Sequence, residues 1–238
     1  MIAELAPEVV YVAAAMANVE ACEQRPREAW LVNVAGLRNV VQAASSVDAV
    51  LVVFSTDYIF DGMSGPYRED EPANPINEYG RQKVIGEQYV ALHAERFLIV
   101  RTTGVYGRER HDKNFVASLV ASLRSRREVR VPVDQVGSPT YAPNLAAIVV
   151  DLVRAGVRGV VNVAGPERAS RVALAHEAAE VFGLDSHLVV PVSTRDLGQQ
   201  AARPLEAGLL VDTLGRRTAV PLVGYHEGLR LMAAAERP

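Results

Sequence analysis

Short apolar runs rich in β-branched residues alternate along the chain with longer stretches in which apolar positions recur every three or four residues. This pattern predicts an α/β fold built on a parallel sheet. Val9 to Val12, Leu51 to Phe54 and Phe97 to Val100 read as buried strands. Between the first two, a helix is expected over Arg27 to Ala44, with Trp30, Val34, Leu37, Val40 and Val41 on its apolar face. The next helix is expected to start near Asn77, a suitable N-cap, with Ile85, Tyr89 and Leu92 as its apolar stripe. Beyond Gly107 the pattern loosens. Helices are expected near Asn114 to Arg124, Pro143 to Val153 and Arg171 to Phe182, and short strands near Val129 to Val131, Val160 to Val163 and Leu188 to Val190. The expected organisation is a core over residues 1–107, then a smaller lobe over residues 108–238 interwoven with late elements of the main sheet.

Composition narrows the class. A chain of 238 residues that is 49% hydrophobic and 22% charged can bury a substantial core. It contains no apolar stretch of the roughly 18 residues a membrane span needs, and no secretory signal pattern opens it, which reads as a cytoplasmic protein without a membrane partner. A formal net charge of -3 gives no general attraction to nucleic acid. Arg124, Arg126, Arg127 and Arg130 cluster at an expected helix end, where cations complement the dipole. Cys22 is the only cysteine and is expected to be a packed residue. No metal site is expected, because His93, His111, His176, His187 and His226 have no metal-ligand spacing.

The chemistry lies in Tyr79 and Lys83. Their four-residue spacing puts a phenol and an ammonium on one helical face. A free Tyr titrates near 10, so a phenol that exchanges a proton with a substrate oxygen near neutral pH needs a neighbouring positive charge, which Lys83 can supply. Thr56, at the end of the second strand, could hold the substrate oxygen while Tyr79 gives or takes the proton. Such a set serves carbonyl and alcohol chemistry.

The segments Ser55-Thr56-Asp57-Tyr58-Ile59-Phe60-Asp61-Gly62, Pro66-Tyr67-Arg68-Glu69-Asp70 and Pro75-Ile76-Asn77-Glu78-Tyr79-Gly80-Arg81-Gln82-Lys83 together resemble the extended short-chain dehydrogenase/reductase family, in its dTDP-4-dehydrorhamnose reductase-like branch. The resemblance runs from about Val9 to about Leu214. It implies a Rossmann-like, doubly wound parallel sheet with a small C-terminal substrate lobe, and NADP or NAD as cofactor. The strand, glycine-rich turn and helix that open a dinucleotide-binding fold do not precede Val9, so the Rossmann half is expected to be N-terminally incomplete. An apolar strand edge left open at Val9 to Val12 is one along which a homodimer could pair.

The resemblance implies that Thr56, Tyr79 and Lys83 are catalytic, with Lys83 also positioning the cofactor ribose. It implies that Ala15, Met16 and Ala17 line the dinucleotide site, where small residues let a flat cofactor approach the backbone. Asn33, an amide on an otherwise apolar helix, must be paired if buried, and in the family it supports the active-site backbone. Asp57 would contact the sugar. Arg101 to Gly107 matches the strand beside the nicotinamide, although Gly104 stands where the rhamnose-type reductases usually carry a substrate-contacting Trp. Asn114, Gln135 and Arg203 match the nucleotide-sugar lobe, and the fork of Arg203 suits a pyrophosphate. The expected activity is therefore reduction of a nucleotide-linked 4-keto sugar. A non-catalytic binding or regulatory subunit, an inactive fragment, and an epimerase or dehydratase of the same family remain open alternatives.

Overall fold

The computed structural model describes residues 1–111 and 113–236. After a single turn at Ile2–Leu5 come strand β1 (Val9–Val12), helices α1 (Val19–Gln24) and α2 (Pro26–Trp30), a π-helical turn at Leu31–Gly36, and helix α3 (Leu37–Ser45). Strand β2 (Val50–Thr56), helix α4 (Glu78–His93), strand β3 (Phe97–Thr102) and helix α5 (Phe115–Arg124) follow. Then come strand β4 (Val129–Pro132), helix α6 (Ala142–Arg154), strand β5 (Gly159–Asn162), helix α7 (Arg171–Val181), strand β6 (Val189–Val192) and helix α8 (Tyr225–Ala234).

Strands β1, β2, β3 and β5 form a parallel sheet in that spatial order, with Val12 opposite Val53, Thr56 opposite Thr102 and Arg101 opposite Asn162. Alternation along β2 explains why the strand is apolar throughout. Val50 and Val52 join Leu98, Val100 and the α6 residues Leu145, Ile148 and Leu152 on one face. Leu51 and Val53 join Ile99, Val41 of α3 and Val90 of α4 on the other. A parallel sheet covered on both faces needs apolar residues at odd and even positions alike. β1 stands at one edge of this sheet, with Tyr11 of that strand exposed.

The chain then leaves the sheet. Helices α5, α7 and α8 pack a separate core around Val116, Leu119, Val120, Leu123, Ala178 and Leu229, alongside the parallel pair β4 and β6. It returns through α6 and β5 to complete the main sheet. Ser125 is the C-cap of α5, and Arg124 in its last turn pairs with Glu236.

Two apolar faces differ from expectation. The stripe of α4 is not Ile85, Tyr89 and Leu92. Its buried face is Tyr79, Gly80, Gln82, Gly86 and Val90, and Leu92 is 79% exposed. The reason is close packing through glycines: a Cβ on Gly80 would lie 2.1 Å from the Tyr58 carbonyl oxygen, and one on Gly86 would lie 2.9 Å from the Leu37 side chain. Trp30, expected on the inner face, is 40% exposed, whereas Val34, Leu37 and Val41 are buried. The π turn at Leu31–Gly36 shifts the register between the two halves of that helix. Such a turn commonly marks a functional position. Helix α8 carries no expectation from the sequence.

Candidate active site

The carboxyl ends of β1, β2 and β3 lie side by side and set out the site. Thr56 ends β2, Asp57 opens the short 3₁₀ turn Asp57–Ile59, and Thr102 and Thr103 follow on β3. Tyr79 enters from the first turn of α4. That turn is fixed by Asn77, fully buried, whose side chain accepts from the Gly80 amide at 2.8 Å and donates to the Ala202 carbonyl at 2.9 Å. The phenol is thus placed by a cap that reaches into the C-terminal part of the chain, a role for Asn77 beyond helix initiation.

Tyr79 packs with Cys22 and Ala29, and Cys22 is buried as expected. Lys83 lies 5.8 Å from the centre of the Tyr79 ring and donates to the Phe54 carbonyl at 2.9 Å. Burial lowers its ammonium to about 8, opposed by Glu87. The electrostatics of Tyr79 correct the sequence expectation. Burial pushes its phenol above the ordinary value, the neighbouring Thr56 hydroxyl opposes this, and the Asp57 charge adds to it. The net direction is upward, because a dry site penalises phenolate more than its neighbours stabilise it, and the Lys83 ammonium is already directed to a carbonyl. A phenol that holds its proton is suited to giving it to a developing alkoxide.

Asp57 is buried and accepts from Thr103 Oγ1 at 2.6 Å, from the Gly208 amide at 3.3 Å and from Thr56 Oγ1 at 3.3 Å. Burial raises its carboxyl above the usual range while these donors hold it down. Beside it opens a pocket of about 80 Å³ whose wall includes Asp57, Tyr58, Gly104, Phe115, Gln135 and Arg171. Of the residues expected to bind substrate, Asp57, Gly104 and Gln135 therefore meet in one pocket. Gly104 has φ +52°, a conformation natural to glycine. Gln135 donates to Thr194 Oγ1 at 3.0 Å, so its amide is oriented from behind.

Two others are placed differently. Asn114 caps α5, accepting from the Ala117 amide at 3.0 Å and donating to the Gly107 carbonyl at 2.8 Å, and its neighbour Phe115 lines the pocket instead. Arg203 is held by Glu20 at 2.9 Å and Gln199 at 3.2 Å, with its Nη1 buried and unpaired, and Pro204 rather than Arg203 forms the wall. Both side chains are spent on holding segments together. Arg171 was missed because nothing in its local sequence distinguishes it from any first-turn helical arginine.

Asn33, on the π turn, accepts from the Met16 amide at 2.8 Å and donates to the Met16 carbonyl at 3.2 Å and to Gln82 Oε1 at 3.0 Å. Its paired amide therefore ties the loop after β1 to the helix that carries Tyr79 and Lys83. Gln82, between them in sequence, completes the link by donating to Glu78 and to the Pro26 carbonyl. Below the site, Arg101 forms a nearly buried ion pair with Glu87 at 2.7 Å and donates to the Glu69 carbonyl at 2.9 Å.

In the loop Ala13 to Ala17 after β1, Met16 packs against the cluster of Cys22, Ala29 and Tyr79, and the small residues around it would leave room for the nicotinamide end of a dinucleotide. The hydroxyls of Ser55 and Thr102 are buried at the same edge without a protein partner. No glycine precedes Gly36, so the residues of this chain account for that end and not for a glycine-rich pyrophosphate cradle. Among the described residues, no cluster of His, Cys, Asp and Glu suits a metal ion, and no helix is long and apolar enough to cross a membrane.

The family model of the RmlD substrate binding domain matches residues 1–237. The chain belongs to this family. It is 34% identical over 231 residues to the dTDP-4-dehydrorhamnose reductase of Mycolicibacterium smegmatis, covering 96% of this chain and 70% of that protein. The solved structure of dTDP-4-dehydrorhamnose reductase from Bacillus anthracis in complex with NADP superimposes with a TM-score of 0.92 at 31% identity, over 98% of this chain and 83% of that one. The methionine adenosyltransferase 2 subunit beta of Xenopus tropicalis is also similar, at 29% identity over 83% of this chain and 61% of that protein.

Proposed function

We infer that this member of the RmlD family is an NAD(P)H-dependent reductase of a nucleotide-linked 4-keto sugar, similar to dTDP-4-dehydrorhamnose reductase. The observation that carries this reading is the meeting of Thr56 and Tyr79 at the sheet's carboxyl edge, next to Lys83 and beside a pocket walled by Asp57, Gly104 and Gln135. A regulatory subunit has no need of a buried phenol beside a hydroxyl and an ammonium at the sheet edge, and the assembled set favours the enzyme.

Bound at this edge, a nicotinamide dinucleotide supplies the hydride to the carbonyl carbon. Ala15, Met16 and Ala17 would line its nicotinamide end, and Lys83 would meet its ribose. Thr56 donates a hydrogen bond to the keto oxygen and fixes its position. As negative charge develops on that oxygen, the Tyr79 O–H bond breaks and its proton passes to the oxygen, leaving a hydroxyl on the sugar and a phenolate that the nearby Lys83 ammonium stabilises until solvent reprotonates it. Asp57 contacts the sugar and is kept in place by Thr103 and Gly208. The compartment we assign is the cytoplasm.

The test is consumption of NADPH, and separately of NADH, by the purified chain supplied with dTDP-4-dehydrorhamnose. Turnover is expected, and Tyr79→Phe should lower kcat by about 10²–10⁴ while leaving cofactor binding and melting temperature in place. A folded wild-type chain that neither binds nor oxidises either cofactor would refute the reductase reading.

A further inference from the structure

We propose that Arg171 anchors the phosphates of the nucleotide-linked substrate, a role the sequence had suggested for Arg203. This rests on the reductase reading for the identity of the ligand, and on the pocket for everything else. A nucleoside diphosphate sugar brings a doubly anionic pyrophosphate, and a largely apolar pocket must meet that charge with fixed donors. Of the residues that wall the pocket, Asp57 and Arg171 are the charged ones, and the Asp57 carboxyl is already engaged by Thr103, Gly208 and Thr56. Arg171 is therefore the cation available to an anion there.

Its side chain is organised for that task. The Arg171 amide donates to the Gln135 carbonyl at 2.9 Å, which pins the base of the residue to a second wall of the pocket. Its guanidinium carbon lies 4.8 Å from the centre of the Phe115 ring, itself part of the wall, so the plane of donors is supported on one side by an aromatic face. The residue is half-buried, and among the described residues that ring is the partner its guanidinium has. The other arginines around the site have carboxylate partners: Arg203 has Glu20, Arg101 has Glu87, and Arg168 has Glu206. A partly dried guanidinium without an acceptor is poised for a bidentate pair with phosphate oxygens, because less freedom is lost when they arrive. The pocket wall runs from Asp57 and Tyr58, next to Thr56 in the chain, to Phe115 and Arg171. A substrate with its keto group at Thr56 and Tyr79 would thus extend its phosphates toward Arg171.

Calorimetric titration of the full chain with dTDP and with thymidine, in wild type, Arg171→Met, Arg171→Lys and Arg203→Met, tests this. Met keeps an unbranched stem against Phe115 and removes the donors. The expected result is dTDP binding weakened at least about tenfold in Arg171→Met. Arg171→Lys should recover part of the loss, because a point charge remains without the fork, while thymidine binding stays the same in both. Equal dTDP affinity in wild type and Arg171→Met would overturn the assignment, as would a loss confined to Arg203→Met, or no dTDP binding by a folded wild type. Keto-sugar turnover is measured alongside. Wild-type turnover with dTDP binding indifferent to Arg171 removes the anchor and leaves the reductase. Arg171-dependent dTDP binding with no turnover leaves the anchor and removes the reductase.

Discussion

Single residues here act through burial more than through charge count. Tyr79 and Lys83 are both moved from their ordinary titration ranges by the same cause, loss of water, and in opposite directions, so each is biased to its neutral form. The Lys83 shift has a consequence for stability. Its folded value of about 8 lies below the ordinary value of 10.5, so between these limits the unfolded chain binds more protons than the folded one. The burial penalty on Lys83 is in full force below about pH 8 and is relieved as pH rises toward 10.5. Denaturation of wild type and Lys83→Met between pH 7 and pH 10 should show wild type gaining on the variant with rising pH, by on the order of 2–3 kcal/mol. Parallel pH profiles for the two would show that Lys83 is not desolvated in solution. The residue scale also shows where sequence reading of the site stopped. Asn33 was legible because an amide in an apolar helix demands a partner. Asn114 and Arg203 carried no such local signal of their protein partners, because a polar side chain has the same letters whether it faces a ligand or a backbone carbonyl.

At the scale of elements, α4 carries Tyr79 and Lys83 on a helix whose inner face is made largely of small and polar residues. Gly80 sits inside the Tyr79 to Lys83 motif because the helix passes against the Tyr58 carbonyl with no room for a methyl group. Gly80→Ala should therefore force α4 off the Asp57–Ile59 turn and destabilise the protein by about 1–3 kcal/mol, even though alanine is the better helix former. Leu92→Gln, on the exposed face of the same helix, should stay within about 0.5 kcal/mol of wild type. Thermal denaturation of both variants distinguishes the observed face from the Ile85, Tyr89 and Leu92 stripe suggested by periodicity, since the latter predicts the reverse order. The π turn at Leu31–Gly36 is the other element-level feature. Within it, the Asn33 amide reaches both the Met16 loop and Gln82, and the register shift leaves Trp30 exposed.

Across the whole molecule, the site exists because late parts of the chain come back to early ones. Asn162, fully buried at the end of β5, donates to the Tyr67 carbonyl at 3.0 Å and to the Leu210 carbonyl at 3.1 Å, and its amide meets Glu69 Oε1 at 3.3 Å. One side chain thereby joins the sheet, the loop after β2 and the segment that supplies Gly208 to Asp57. Asn162→Leu should cost about 1–3 kcal/mol, because it leaves buried carbonyls short of a donor. It should also lower the melting temperature of sheet and lobe together, as judged by coincident far-ultraviolet and near-ultraviolet transitions. Separate transitions would mean that the two cores are independent. The sequence by itself determined the parallel α/β class, the strands at Val9, Leu51 and Phe97 and the Asn77 cap, because periodicity and capping are local properties. Tertiary structure alone decided which face of α4 is buried, that Arg203 is held by Glu20 while Arg171 lies against Phe115 in the pocket wall, and that burial pushes the Tyr79 phenol upward. Each of these depends on the distance between residues remote in the chain and on the water excluded when they meet.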